Sequence, residues 1–344
     1  MKKLYTLIFI SLLGLSYSNA QDVHFSQFYN SPLFTNPALT GRFDGLYRLN
    51  AVYRNQWFQV GNFGSTPFAT YGASIDFSIP QKKNAFGVGM NMFHDRAGNG
   101  GLNTTTIGIL GAYHKALDKN GKHMLSLGVQ ADYTNRRLDQ SNLQFYNQFN
   151  ANNQFNGNLP TGENIVDERI GYFDLSTGLF YHGKVAKKLM LYVGGAMFHL
   201  MKPKASFASG DELEISYRYM AQGGLDIELK KVDILPSVLY MRQQNTNELN
   251  TGLGVAFKFG NDSEVHIGAY TRLYGINDDL GMDAVIPYAA VQLADLRIGV
   301  SYDATVSNLQ EAPRALGGLE LTLVYIGHPR ALPEVKPVLF CPRY

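Results

Sequence analysis

Few residues in this chain of 344 are of a type and spacing that could do chemistry. His94 beside Asp95, and Ser301 two positions before Asp303, come nearest to the nucleophile, base and carboxylate that a membrane hydrolase must bring together at a lumen or rim. Nothing in the sequence joins the two pairs. No nucleophile elbow, phosphate loop, zincin motif or metal-ligand cluster accompanies them. Gly87-Val88-Gly89 and Gly252-Leu253-Gly254 fall inside strand-like stretches and not at a strand-to-helix turn, so small residues on a crowded inner face explain them better than phosphate binding does. The eight histidines are scattered, with His114, His182, His199 and His266 on different stretches. The chain reads as a non-enzyme without cofactor or metal.

A larger polar set shares one predicted face: Arg48, Asn50, Arg54, Asp76, Asn91, Asp132, Arg136, Asp174, Arg218, Asp226, Arg297, Asp303 and Glu320. Both signs are interspersed. Charges withdrawn from water are tolerated when paired. The set is therefore either a self-neutralising interior that closes a barrel or seats a plug, or a recognition surface for a polypeptide or small solute. A freely open pore of one charge sign is disfavoured.

The elements that must carry these side chains are strands. Ala69, Tyr71, Ala73, Ile75, Phe77 and Ile79 share one face of a period-two stretch, and Thr70, Gly72, Ser74, Asp76 and Ser78 share the other. Leu125, Leu127, Val129, Ala131 and Tyr133 oppose Ser126, Gly128, Gln130, Asp132 and Thr134 in the same way. A third example sets Leu213, Ile215, Tyr217, Tyr219, Ala221, Leu225 and Ile227 against Glu214, Ser216, Arg218, Gln222, Asp226 and Glu228. Such stretches recur at 44–58, 66–80, 84–95, 103–117, 122–138, 169–183, 189–201, 212–229, 231–243, 247–260, 264–275, 283–294, 296–306 and 316–327. They predict an all-β fold, a transmembrane antiparallel outer-membrane β-barrel of about 14 strands, with one face toward lipid and the other toward a wet or plugged lumen. A soluble β-sandwich would also alternate, but its outward face would carry more Lys and Glu. Pro236 and Pro287 each remove a ladder hydrogen bond and predict a bulge or strand end.

Composition is compatible with this and excludes other classes. With 17% charged and 12% aromatic residues the chain would suit a soluble protein as well as a barrel. Its 30 basic and 28 acidic residues give no excess of the kind that drives nucleic-acid binding. The single Cys341 rules out an internal disulfide framework. Lys2 and Lys3, the apolar run Leu4 to Leu15, and small Ser18 and Ala20 read as a cleavable signal peptide over 1–20, too short for the roughly 20 residues of a spanning helix. No other segment could span as a helix.

Residues 21–43 form a proline-bearing leader without sustained period, either periplasmic or plug-like. The barrel is expected over 44–327, followed by a proline-containing tail over 328–344. Connections after even-numbered stretches are brief and those after odd-numbered ones mostly longer. Because outer-membrane barrels keep periplasmic turns short, this places the N-terminus of the barrel on the periplasmic side. Asp139 to Glu168 is the longest connection, rich in Asn, Gln and Gly, with Phe145, Tyr146, Phe149 and Phe155 interspersed. Aromatics among amides suit contact with a protein or glycan partner. Tyr and Phe number 21 each, and Tyr47, Tyr53, Phe77, Tyr133, Phe173, Tyr181 and Tyr192 lie near strand ends, as interfacial girdles would require.

The segments FSQFYNSPLFTNPALTG (Phe25 to Gly41) and YRNQWF (Tyr53 to Phe58), Ser301-Tyr302-Asp303, Gly317 to Leu321 and the terminal Cys341-Pro342-Arg343-Tyr344 resemble the PorP/SprF family of the Bacteroidetes type IX secretion system, over nearly the whole mature chain. The resemblance implies a non-enzymatic outer-membrane barrel in contact with outer-membrane lipid. It would bind, or help export or attach, a secreted surface protein such as a gliding-motility adhesin, or contact the periplasmic secretion ring. Asn36, Pro37, Gly41, Tyr53, Arg54, Asn55, Gln56 and Trp57 are expected as structural or docking positions. The alternative is a passive outer-membrane channel for small solutes.

Overall fold

Each alternating stretch forms a strand in the computed structural model. The described residues are 22–57, 68–98, 101–139, 143–150, 152, 154–162, 168–207, 213–259, 263–276, 279–307 and 317–328. The signal read over 1–20 and the tail beyond His328 lie outside them. The strands are β1 (Tyr47–Gln56), β2 (Phe68–Gln81), β3 (Asn84–Ala97), β4 (Leu102–Ala116), β5 (His123–Arg137), β6 (Arg169–Ala186), β7 (Leu189–Phe198), β8 (Arg218–Glu228), β9 (Val232–Gln243), β10 (Thr246–Lys258), β11 (Ser263–Ile276), β12 (Asp279–Leu293), β13 (Leu296–Thr305) and β14 (Gly318–Gly327). Each pairs antiparallel with its sequence neighbours, and β1 pairs with β14 from Tyr47↔Gly327 to Gln56↔Gly318, which closes the barrel. Closure leaves no unpaired edge, the condition for crossing lipid with strands.

The two faces separate as the alternation requires. Along β2, Tyr71, Phe77 and Ile79 are exposed, whereas Thr70, Ser74, Asp76 and Ser78 are buried. Val88, Met90 and Met92 on β3, Leu127 and Val129 on β5 and Leu321 and Leu323 on β14 continue the outward apolar band. Apolar surface of that extent is stable only against hydrocarbon. Aromatic rings flank it. Tyr47 meets Phe77 and Tyr325 at one end, while Tyr53 meets Tyr71, and Tyr133 meets Phe173, at the other. Tyr192 departs from that expectation, because it turns inward, is buried, and stacks on Phe180.

Three local features correct the strand limits read from periodicity. β8 begins at Arg218 and not at 212, because Leu213 and Ile215 instead pair within their own loop: the Ala205 amide donates to the Leu213 carbonyl and the Ile215 amide to the Pro203 carbonyl. β12 begins at Asp279, four positions before its expected start at 283, so the connection expected over 276–282 contracts to 277–278. The cause is a bulge. Arg272 pairs with Ala284 but Leu273 with Met282, so Asp283 is passed over and its carboxylate takes the Arg272 guanidinium at 2.7 Å. Pro236 and Pro287 lie within β9 and β12, and around each the pairing on one side lapses: no β8 partner for Leu235 and Pro236, and no β13 partner for Ile286 and Pro287. The missing amide interrupts one ladder without ending the strand.

The leader contains three short 3-10 turns, Phe28–Asn30, Pro32–Phe34 and Pro37–Leu39. Prolines at the first positions of the second and third favour the tight turn, since their fixed φ costs nothing there. From Phe25 to Phe43 nearly every residue is buried against the inner wall.

Candidate lumen site

The wall grips the leader mainly by its backbone. At the end where the short turns lie, the Gly41 amide donates to Asp76 Oδ2 at 2.7 Å, and Arg48 holds the same carboxylate through Nε and Nη2 at 3.0 and 2.7 Å while Nη2 also reaches the Leu39 carbonyl. His114 Nε2 donates to the Thr40 carbonyl at 2.8 Å, and Arg42 contacts His182. Midway, Asn36 donates to the Leu179 and Gly195 carbonyls, and Asn50 donates to the Asn30 carbonyl at 2.6 Å. Toward the long-loop end, the Ser26 and Gln27 amides donate to the two oxygens of Glu320 at 2.8 and 2.7 Å. The leader therefore climbs the barrel from the short-turn mouth to the opposite rim, where Asp22 meets His199, Gln243 and Arg218.

Glycines in the wall make the approach possible. A Cβ on Gly87 would lie 1.9 Å from the Thr40 carbonyl oxygen, and one on Gly128 would lie 2.3 Å from the Pro37 carbonyl carbon. No other residue could sit there without moving the leader.

The densest polar cluster surrounds Ser26. Arg54 pairs with Asp303 at 2.7 Å and Glu320 at 3.2 Å, and donates to Ser26 Oγ at 2.7 Å. Arg272 pairs with Asp303 at 2.8 Å and Asp283 at 2.7 Å. Ser26 Oγ donates to Asp303, and Gln27 Nε2 donates to Ser301 Oγ. Two guanidiniums and three carboxylates thus neutralise most of one another's charge, which is how such groups persist out of water.

Of the other residues expected in the lumen, Asp132 faces Asp174 in register and accepts from Gln130. Asp174 accepts from His199, and Arg218 lies over Phe198 and donates to the Val23 carbonyl. Asp226 is buried near the short-turn end, Arg297 donates twice to Gln292 there, and Arg136 lies at the rim over Phe207. The Tyr53 to Trp57 motif is split between faces: Arg54 enters the cluster, Tyr53 and Asn55 contact each other on the other face, Gln56 ends β1, and Trp57 takes a left-handed φ of 53° against Phe68. In the leader motif, Asn36 caps the Pro37 turn and Gly41 has φ 72°.

The catalytic raw material is dispersed. His94 and Asp95, being neighbours on a strand, point to opposite faces, with His94 on Thr105 and Asp95 on Thr70. Ser301 and Asp303 are engaged with the leader and Arg54. In the long loop, Tyr146 is 91% exposed, Phe149 and Phe155 pack edge to face at 5.7 Å, and Phe145 is half-buried at the cap of a 3-10 turn. Sequence reasoning missed Arg272, although His266, Tyr270 and Arg272 share a phase on β11. It placed His199 only among scattered histidines and missed Asp22; the two meet where the start of the leader reaches the rim beyond β7.

The family model of the type IX secretion system membrane protein PorP/SprF matches residues 17–325. No curated protein sequence matches the chain. Among solved structures, a deltaS2 mutant of the TodX monoaromatic hydrocarbon channel superposes with a TM-score of 0.53 at 11% identity, covering 86% of this chain and 93% of the other. The Ralstonia pickettii toluene transporter TbuX gives 0.49 at 10%, covering 86% and 92%, and a Pseudomonas aeruginosa FadL homologue gives 0.48 at 13%, covering 87% and 94%. At such identities the TodX likeness speaks for the fold alone, an outer-membrane barrel. A family match over most of its length, on a closed outer-membrane barrel, establishes that this chain belongs to the PorP/SprF family of type IX secretion system membrane proteins.

Proposed function

We infer that this barrel serves type IX secretion as a closed scaffold, binding a secreted surface protein to aid its export or attachment or contacting the periplasmic secretion ring, with the leader acting as a plug. The observation that carries the reading is the leader's course through the lumen, held by wall side chains from Asp76 at one end to Glu320 near the other. A filled lumen leaves the loops and mouths as the working surfaces. The exposed aromatics of the 139–168 loop and the Asn36 to Gly41 and Tyr53 to Trp57 motifs are the candidate docking and structural elements.

Deleting the gene and comparing secreted and surface-attached proteins tests the reading, together with co-purification on the tagged barrel. Loss of a surface protein and recovery of a type IX component are expected. Unchanged export with no such partner would defeat it.

The solute-channel reading draws on the likeness to TodX, described as a monoaromatic hydrocarbon channel. Against it stands the leader's burial along the inner wall; one cavity beside it, bordered by Tyr29, Tyr192, Tyr270 and Tyr288, has about 20 Å³, room for little more than one water. Single-channel recording of the reconstituted protein separates the readings, since the scaffold predicts no steady conductance.

A further inference from the structure

Lysines gather on one arc of the short-turn rim. Lys82 and Lys83 form the turn between β2 and β3, Lys119 and Lys122 lie between β4 and β5, and Lys187 and Lys188 form the turn between β6 and β7; all six are exposed. Lys115, exposed at the end of β4, makes a seventh. None of the seven pairs with a carboxylate among the described residues. The turns of this arc carry two acidic side chains. Asp118 accepts from the Asn120 and His123 amides of its own turn at 3.1 and 2.9 Å, and Glu228 pairs with a further lysine, Lys184, at 3.7 Å. Around the rest of the rim the signs are mixed: Asp44, Asp233, Glu264 and Asp295 stand among Lys230, Lys231 and Lys258, and Lys258 pairs with Asp233 at 2.6 Å. Beyond His328 the sequence has one acidic side chain, Glu334, against Arg330, Lys336 and Arg343, so that segment brings the arc no surplus of negative charge.

The height of the arc in the membrane follows from the strands above it. The outward row of β4 runs from Ile107 and Ile109 through Tyr113 to Lys115, all exposed. Tyr113 packs on Phe86 at 4.9 Å, and Tyr181, level with Lys115 across Leu125, stacks on His123. Aliphatic, aromatic, then charged is the order in which a bilayer passes from acyl chain to interface to headgroup. Lys115 lies two residues past Tyr113, roughly 7 Å along the strand. The polar layer on each side of the hydrocarbon is roughly 5–8 Å deep, so the lysines stand among the headgroups.

The choice of cation agrees with that position. Buried pairs in the lumen use the forked guanidiniums of Arg48, Arg54 and Arg272, whereas the arc uses the strongly hydrated ammonium of lysine, which stays in the wet layer and attracts negative headgroups as a point charge. We propose that the arc from β2 to β7 binds the headgroup phosphates of anionic glycerophospholipids in the leaflet at the short-turn mouth, giving the barrel a negatively charged lipid collar on one side only.

The test uses the full-length barrel in mild detergent, offered dioleoylphosphatidylglycerol or dioleoylphosphatidylcholine, which share their chains and differ in headgroup charge. Bound lipid is counted by native mass spectrometry in the parent, in K119Q/K122Q/K187Q/K188Q, and in K202Q/K204Q, whose lysines follow β7 at the long-loop end. Heat-modifiable migration verifies folding; K83Q/K115Q serves if the quadruple variant does not assemble. A lysine near a membrane surface contributes about 1 kcal/mol, close to a factor of five. The parent should therefore favour the anionic lipid by about fivefold or more, the quadruple variant should lose that preference, and K202Q/K204Q should keep it. Equal binding of the two lipids by the parent overturns the proposal, as does an undiminished preference in the quadruple variant or an equal loss in K202Q/K204Q. Displacement of the anionic lipid by inorganic phosphate, at ionic strength matched with chloride, would reassign the arc to a free anion. Loss of a co-purifying acidic protein from the quadruple variant, with lipid preference intact, would reassign it to a protein partner. Either result overturns the lipid assignment.

Discussion

His199 Nε2 donates to Asp22 Oδ2 at 2.6 Å, joining the rim beyond β7 to the start of the leader across 177 positions of sequence. The other ring nitrogen lies 2.5 Å from Asp174 Oδ2, so one imidazole bridges leader and wall. Burial would by itself lower the His199 pKa; the charge of Asp22 and the hydrogen bonds to Asp174 and Asp22 outweigh it and raise the value to about 9. Asp22 moves the opposite way: burial would raise its pKa, and Arg218 and His199 override that and lower it.

The sign of the pH dependence follows. A histidine whose pKa is higher folded than unfolded contributes stability in full below its ordinary value of about 6.5, and loses it as pH rises through about 9. Hydrogen exchange of the Asp22 amide, which donates to Gln243 Oε1 at 3.1 Å, should therefore accelerate, relative to its intrinsic rate, by up to about seventyfold between pH 7 and 10. H199Q should flatten that dependence, and an unchanged profile in H199Q would remove His199 from the latch.

Arg54 faces Asp303 and Glu320 with its side chain 3% exposed. R54A strands two buried carboxylates, with Arg272 still supporting Asp303, and should destabilise the barrel by about 3–5 kcal/mol. The urea midpoint in detergent micelles measures it. R54K, which keeps the charge but loses the fork, should fall between the parent and R54A.

Gly128 tests the seating of the leader. A valine there would put its Cβ in the backbone of Pro37 and Ala38, costing about 1–3 kcal/mol if the wall gives and displacing the leader if it does not. If the leader is what blocks the lumen, G128V should show single-channel conductance that the parent lacks while retaining heat-modifiable migration.

Tyr146 projects from the long loop at 91% exposure, and its removal leaves no cavity. Y146A should change stability by no more than about 0.5 kcal/mol. Co-purification of a secretion partner should fall in Y146A if this loop docks it. Full recovery of partner would shift attention to the two mouths of the barrel.

The alternation in this sequence determined the strands, their inward and outward faces and the closed all-β architecture, because period two is a local property of each stretch and lipid enforces it on every strand. It likewise marked most of the inward charges, from Arg48 to Glu320. It carried Leu213 and Ile215 into a strand they do not join, because a hairpin inside a loop alternates just as a barrel strand does. It lost phase at Asp283, where a single bulged residue reverses the faces. Which inward charges meet was decided only by tertiary structure. Arg54, Arg272, Asp283, Asp303 and Glu320 come from five strands, β1, β11, β12, β13 and β14, and converge because closing the sheet places β14 against β1. The leader's path was decided the same way: its prolines announce tight turns, but the side chains that hold its backbone lie from 9 to nearly 300 positions away.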